Sequence, residues 1–172
     1  MLVFMRHAIK AMIFAVYTFV GISQAADITL STLTPSTDAS HILTLHGPEG
    51  RNSISRLDIE QSRLYELSLQ HFEGLQGRFA GVWLEDFLNA QGIGQVETLR
   101  FIAHDDYTIF LTSEDRLRKR YFLATRFDDK PLTRKEFGPT MLLIPEDSEA
   151  VRAGTESMTT WIWSIKDIYL QP

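Results

Sequence analysis

The chain has 172 residues, no cysteine and a formal net charge of −5. Without thiols it can build neither a disulfide framework nor a thiol nucleophile, and mild acidity with no long basic run leaves no electrostatic footprint for nucleic acid or anionic lipid. With 44% apolar residues, the length suits one compact domain that buries its core without covalent staples.

At the start, Arg6, His7 and Lys10 lead into an apolar run over 11–22 and then Ser23-Gln24-Ala25-Ala26. A basic opening, an apolar stretch of about a dozen residues and small side chains before a cut predict a secretory signal peptide over 1–25 and a mature domain over 26–172. An uncut anchor is the alternative, but the run is short for a bilayer core. Residues 27–40, rich in Ser and Thr, read as an irregular leader with room for a short strand at 28–30. The first clear strand is 41–45, stopped by Gly47-Pro48. Residues 55–61 predict one or two helical turns. Over 64–72, Tyr65, Leu67, Leu69 and His71 alternate with Glu66, Ser68 and Gln70, the pattern of a two-faced strand. Gly74 and Gly77 break it and leave Arg78 just past a flexible bend.

Next comes a helix over 84–89. Leu84, Phe87 and Leu88 share a face, Glu85 and Asp86 sit in the first turn, and Gly92 marks the stop. Val96, Leu99, Phe101 and Ala103 are spaced as a mostly buried strand, and Tyr107, Ile109 and Leu111 alternate with Thr108, Phe110 and Thr112 in another. His104-Asp105-Asp106-Tyr107 forms the polar turn between them. Ser113 followed by Glu114 and Asp115 predicts a helix N-cap leading into Arg116, Arg118, Lys119 and Arg120. Those cations read as a solvated face, with an anion-binding patch as the alternative. Residues 122–127 form a strand entering the turn Asp128-Asp129-Lys130-Pro131, and 140–144 a buried strand between Pro139 and Pro145. A polar loop over 146–157 is long enough to cover a site. Trp161-x-Trp163 and 165–170 supply an aromatic element and the last strand.

Several of these pieces, in order, resemble a known family. Phe79-x-Gly81-Val82-x-Leu84-x-x-x-Leu88, a strand, Asp105-Asp106-Tyr107, Pro131-Leu132, Gly138-Pro139 before Leu143-Ile144-Pro145, and Trp163 five residues before Ile168 resemble the oxidoreductase molybdopterin-binding domain, the sulfite-oxidase fold. The resemblance spans roughly residues 42–171 and implies an α+β domain: a single strand-dominated, mixed, barrel-like sheet with a few short helices. That family holds molybdenum through a cysteine thiolate, a soft ligand that serine or histidine replaces poorly. This chain has no cysteine, and so it looks like the PruR-like periplasmic branch that binds pterins without metal. The function implied is that of an exported periplasmic protein, not an enzyme, sensing a reduced pterin as ligand rather than using it as a catalytic cofactor. Its implied partner is the periplasmic domain of an inner-membrane signalling protein that controls cyclic di-GMP. The alternative is a molybdopterin-dependent oxidoreductase or its cofactor-binding subunit.

A pterin is a flat bicycle with an amide-like edge, so its site needs a plane to stack on and a carboxylate or backbone groups to meet the edge donors. The candidates are Arg78, Asp105, Asp106, Tyr107, Trp161 and Trp163, with Trp83 and Arg126 behind them. For the Asp pair an ordinary polar turn competes with ligand contact, and for Trp163 core packing competes. No catalytic or metal-ligating set stands out. His41, His46, His71 and His104 show no HExxH or i,i+4 pairing, Ser113 lacks a GxSxG context, and Gly92-x-Gly94 has no dinucleotide-loop continuation.

Overall fold

The computed structural model describes residues 27–71 and 73–172; the expected signal peptide lies outside them. In chain order the elements are β1 (Ile28–Leu30), β2 (His41–Gly47), β3 (Gly50–Ser55), α1 (Arg56–Glu60), β4 (Tyr65–Gln70), β5 (Gln76–Trp83), α2 (Leu84–Ala90), β6 (Thr98–Ala103) and β7 (Thr108–Thr112). They continue with α3 (Ser113–Arg118), β8 (Phe122–Phe127), β9 (Lys130–Pro131), β10 (Met141–Leu143), α4 (Ser148–Arg152), β11 (Ile162–Trp163) and β12 (Ile165–Gln171). The domain is α+β with strands dominating, as expected. Where one sheet was expected, however, there are two: a seven-stranded sheet ordered β1-β4-β5-β8-β10-β11 with β9 beside β8, and a five-stranded sheet ordered β3-β2-β12-β6-β7. Among the described residues only β2 and β12 pair in parallel. Alternation along a strand reports which faces are apolar but not which strands pair, so the split into two sheets had no local signature.

One hydrophobic cluster draws on both sheets. It includes Phe79, Val82, Phe122 and Leu142 from the larger and Leu43, Leu99, Phe101 and Ile168 from the smaller. Four successive residues of β8, Phe122 to Thr125, are buried, so this central strand is covered on both faces. Against it runs β5, where a Cβ at Gly81 would meet the Leu123 carbonyl oxygen at 2.2 Å. The backbones approach too closely there for any other residue. That strand also corrects the bend expected at 74–77: Gly77 and Arg78 are inside β5, paired with Leu69 and Ser68.

Local chemistry accounts for the ends of the helices. Ser55 caps α1, accepting from the Asp58 N–H at 3.2 Å while Asp58 returns a bond to the Ser55 N–H at 2.8 Å. The cap of α3 is Thr112, one residue before the expected Ser113, because Asp115 reciprocates with Thr112 in the same way. Gly92, at φ 73°, stops α2 as expected. The segment 146–157 is not wholly a loop; α4 forms in it and buries Ser148 and Val151. β3 was missed, since its sequence GRNSIS offers almost no apolar alternation.

The leader 27–40 is tied down by a buried charge. Glu60, with no exposed surface, accepts from the Arg126 guanidinium at 2.9 Å, the Thr125 hydroxyl at 2.8 Å and the Ser36 N–H at 2.7 Å. Arg126 also donates to the Thr34 carbonyl at 2.9 Å. Each partner of the carboxylate compensates its lost hydration. Glu60→Ala is therefore expected to cost about 3–5 kcal/mol by leaving Arg126 uncompensated, and Leu88→Ala, at a fully buried position on α2, about 2–5 kcal/mol. Urea unfolding checks both, and losses below about 0.5 kcal/mol, the surface scale, would contradict the assignments.

Candidate functional site

The two sheets meet at Ser164. Trp163 ends β11 on the larger sheet and Ile165 begins β12 in the middle of the smaller one, with Ser164 between them at φ 52°. Its N–H donates to the Phe137 carbonyl at 2.8 Å, and its carbonyl accepts the His104 N–H at 2.9 Å. One residue thus binds the loop before Pro139 to the turn between β6 and β7.

That turn is a three-residue loop. Asp106 N–H donates to the Ala103 carbonyl at 3.1 Å and Ala103 N–H to the Tyr107 carbonyl at 2.9 Å, with Asp106 left-handed at φ 68°. This is a type I turn followed by a residue in a left-handed conformation, a common three-residue hairpin closure. Asp105 folds back to accept the Tyr107 N–H at 3.1 Å. Asp106 accepts from Lys166 at 2.6 Å, and that hydrogen bond and charge hold its carboxyl below the usual carboxylate range. Tyr107, exposed, donates its hydroxyl to the Thr159 carbonyl at 3.1 Å and lies nearly parallel to the half-buried Trp163, with centroids 6.5 Å apart.

Four of the six candidates, Asp105, Asp106, Tyr107 and Trp163, are therefore neighbours around the sheet junction. Trp161 is beneath them, 1% exposed, and packs against His71; it is core and presents no face to a ligand. Arg78 is elsewhere, on the β4–β5 hairpin, in ion pairs with Asp129 and Glu66. Of the two behind them, Arg126 is committed to Glu60, and Trp83 is buried with Arg120 over its ring.

Beside the turn opens a cleft of about 370 Å³ lined by His41, Ile42, His104, Leu132, Arg134, Pro139 and Lys166. Arg134 donates to His104 Nε2 at 2.9 Å, which requires that nitrogen to be unprotonated. Burial first, then the charges of Arg134 and Lys166, push the His104 pKa down. Lys166 is balanced by Asp106, whereas Arg134 has no carboxylate in ion-pair range among the described residues. The cleft thus carries an uncompensated cation. Sequence reading missed His41, Arg134 and Lys166 because the three come from separate elements. The one local signal near Arg134 was T-x-x-E, the capping box of Thr133 and Glu136 that closes the turn before Gly138-Pro139. Among the described residues no group of three or more His, Asp or Glu is placed to hold a metal ion, and no helix is long and apolar enough to cross a membrane.

Under this junction sits His71, 1% exposed, with Phe137, Trp161 and Trp163 all within 6 Å between ring centroids. Its Nδ1 accepts from the Glu73 N–H at 3.3 Å, and burial pushes its pKa down to about 4. The unfolded chain, with an ordinary histidine, binds a proton near pH 6.5 that the folded chain refuses, so stability falls as pH drops from about 6.5 to about 4. His104 adds to the loss in the same direction. The lowered carboxyls of Asp38, Asp106 and Asp115 act only below about 3.8, their ordinary value. Urea titrations across this window should show a loss on the order of 3 kcal/mol from His71, removed for the most part in His71→Gln. An equal pH slope in the variant would place the effect elsewhere.

Compared with the models of known protein families, the chain matches none, and no curated protein matches it either.

Proposed function

We propose that this is an exported periplasmic protein that binds a reduced pterin at the junction of its two sheets, and that the pterin is a sensed ligand rather than a catalytic cofactor. The observation that carries the reading is the meeting of Asp105, Asp106, Tyr107 and Trp163 beside a cleft of about 370 Å³, within the roughly 300–1,000 Å³ typical of small-molecule sites. Asp105 uses one oxygen on Tyr107 and has the other available for the ring-edge donors. Tyr107 supplies an exposed plane, and Arg134 suits a carboxylate or phosphate substituent on the pterin. The resemblance to the molybdopterin-binding domain and the opening signal-like segment support the remainder: periplasmic placement, and relay of the bound state to the periplasmic domain of an inner-membrane signalling protein that controls cyclic di-GMP.

Charged hydrogen bonds are worth about 1.5–3 kcal/mol each and aromatic stacking adds about 0.5–1.5, which orders the variants. In calorimetric titration with a tetrahydropterin, Asp105→Asn is expected to weaken binding at least about tenfold without lowering Tm. Asp106→Asn, already held by Lys166, should weaken it less, as should Tyr107→Ala; Trp161→Ala should destabilise the fold instead. Arg134→Gln is expected to weaken only pterins that carry an anionic substituent. Unchanged affinity in both Asp variants would remove this junction as the binding site, and stoichiometric molybdenum in protein purified from the periplasm would favour a molybdopterin-dependent oxidoreductase or its cofactor-binding subunit.

A further inference from the structure

β7 ends the five-stranded sheet, with β6 on one side and, among the described residues, no strand on the other. Exposed sheet edges invite pairing with another chain, and proteins usually blunt them by brevity, charge, proline or a bulge. The other edges here follow that rule: β1 has three residues, β9 and β11 two each, and β3 carries Arg51. β7 does not. Its sequence, Thr108-Ile109-Phe110-Leu111-Thr112, has no charge, proline or glycine, and its register with β6 is unbroken. Phe110 is 54% exposed on its outer face.

The phase of the ladder identifies which backbone groups this edge offers. The bond from Ala103 N–H to the Tyr107 carbonyl sets the alternation of bonded and unbonded pairs in an antiparallel hairpin. Ile109 and Leu111 therefore exchange bonds with Phe101 and Leu99, and the N–H and C=O groups of Thr108 and Phe110 point away from the sheet. Thr112, next in the outward set, already gives its N–H to the Asp115 carboxylate at 3.0 Å. The free edge is thus two residues, Thr108 and Phe110, on either side of Ile109.

That set is complementary to itself. We propose that β7 is the contact of a two-fold dimer of this chain, in which β7 of a second copy adds antiparallel with Ile109 opposite Ile109. In this register Thr108 of each copy faces Phe110 of the other, and every outward donor and acceptor of both residues finds a partner. A two-fold interface must match one patch to the same patch, and an uncharged strand does so without bringing like charges together. On a molecule of net charge −5, an uncharged edge is also where two copies approach with little repulsion. Asp106, the acid nearest the turn end of β7, is paired with Lys166 and in this register falls opposite Thr112 of the copy. Phe110 of one copy covers Thr108 of the other on the outer face. A short interface of this kind gives a weak, concentration-dependent dimer. The proposal is independent of the ligand reading, since no residue of β7 is assigned to the pterin site.

The same geometry supplies the test. Phe110→Pro removes an outward N–H and leaves the β6 ladder intact. Phe110→Lys keeps the backbone and brings like charges close to the two-fold axis. Sedimentation velocity of the full chain over micromolar to millimolar concentrations should show a reversible dimer, with a dissociation constant at least tenfold higher in either variant; should the proline variant fail to fold, the lysine variant decides. Because the chain has no cysteine, Thr108→Cys, at an exposed position, introduces a single accessible thiol. A short bis-maleimide should link two copies through position 108, and Ser53→Cys, exposed on the opposite edge, should give little product. A chain that stays monomeric throughout, a dimer insensitive to both Phe110 variants, or equal cross-linking at positions 53 and 108 would overturn the proposal.

Discussion

The arrangement depends on Ser164. At this residue the chain leaves one sheet and enters the other, and the left-handed backbone at φ 52° makes the change of direction within a single position. Left-handed conformations cost a non-glycine residue about 1 kcal/mol or more. The bonds that offset this strain are the ones that assemble the junction: Ser164 N–H to the Phe137 carbonyl and His104 N–H to the Ser164 carbonyl. The turn carrying Asp105, Asp106 and Tyr107, the loop leading to Pro139 and the Trp163 ring are held together because one peptide unit on each side of Ser164 is bonded to each of two loops.

Electrostatics at the junction follow from burial. The chain is acidic overall, yet the cleft beside the turn is cationic, because Lys166 is matched by Asp106 whereas Arg134, with no carboxylate in ion-pair range among the described residues, meets a neutral imidazole. His104 can accept from Arg134 only while unprotonated, and the same burial and neighbouring cations that lower its pKa keep it so. His71, deeper in, is kept neutral by burial. The junction therefore offers a carboxylate in Asp105, an aromatic plane in Tyr107 and an unmatched cation in Arg134 over a short span. The most buried ion pair, Glu60 with Arg126, acts at a different place, strapping the leader to α1 and β8.

Much of the local structure was legible because it is written in short periods. Strict alternation marked β4, β6 and β7, and a one-sided apolar face with acidic first-turn residues and Gly92 marked α2. β3 was not, since its exposed residues are polar on both faces. β5 was obscured by Gly74 and Gly77, read as breakers although Gly77 lies inside the strand; at Gly81 the glycine serves a close backbone approach to β8. Among the candidate residues, Asp105, Asp106 and Tyr107 fall together because they are contiguous. The burial of Trp161 was not legible because a buried and a half-exposed indole look alike in a W-x-W string, nor the place of Arg78, because an arginine after two glycines looks mobile when it is in fact mid-strand. Arg134, Lys166 and His41 meet only through the crossing at Ser164 and the order of strands, which no local pattern encodes.

The central claim is that a pterin binds where the two sheets meet. Amide chemical shifts of the isotope-labelled chain, followed during titration with a tetrahydropterin, test it most directly. Saturable shifts confined to residues 104–107, 134–139 and 163–166 are the predicted result. Shifts centred elsewhere, such as on the β4–β5 hairpin around Arg78, or none at all at millimolar pterin, would contradict it.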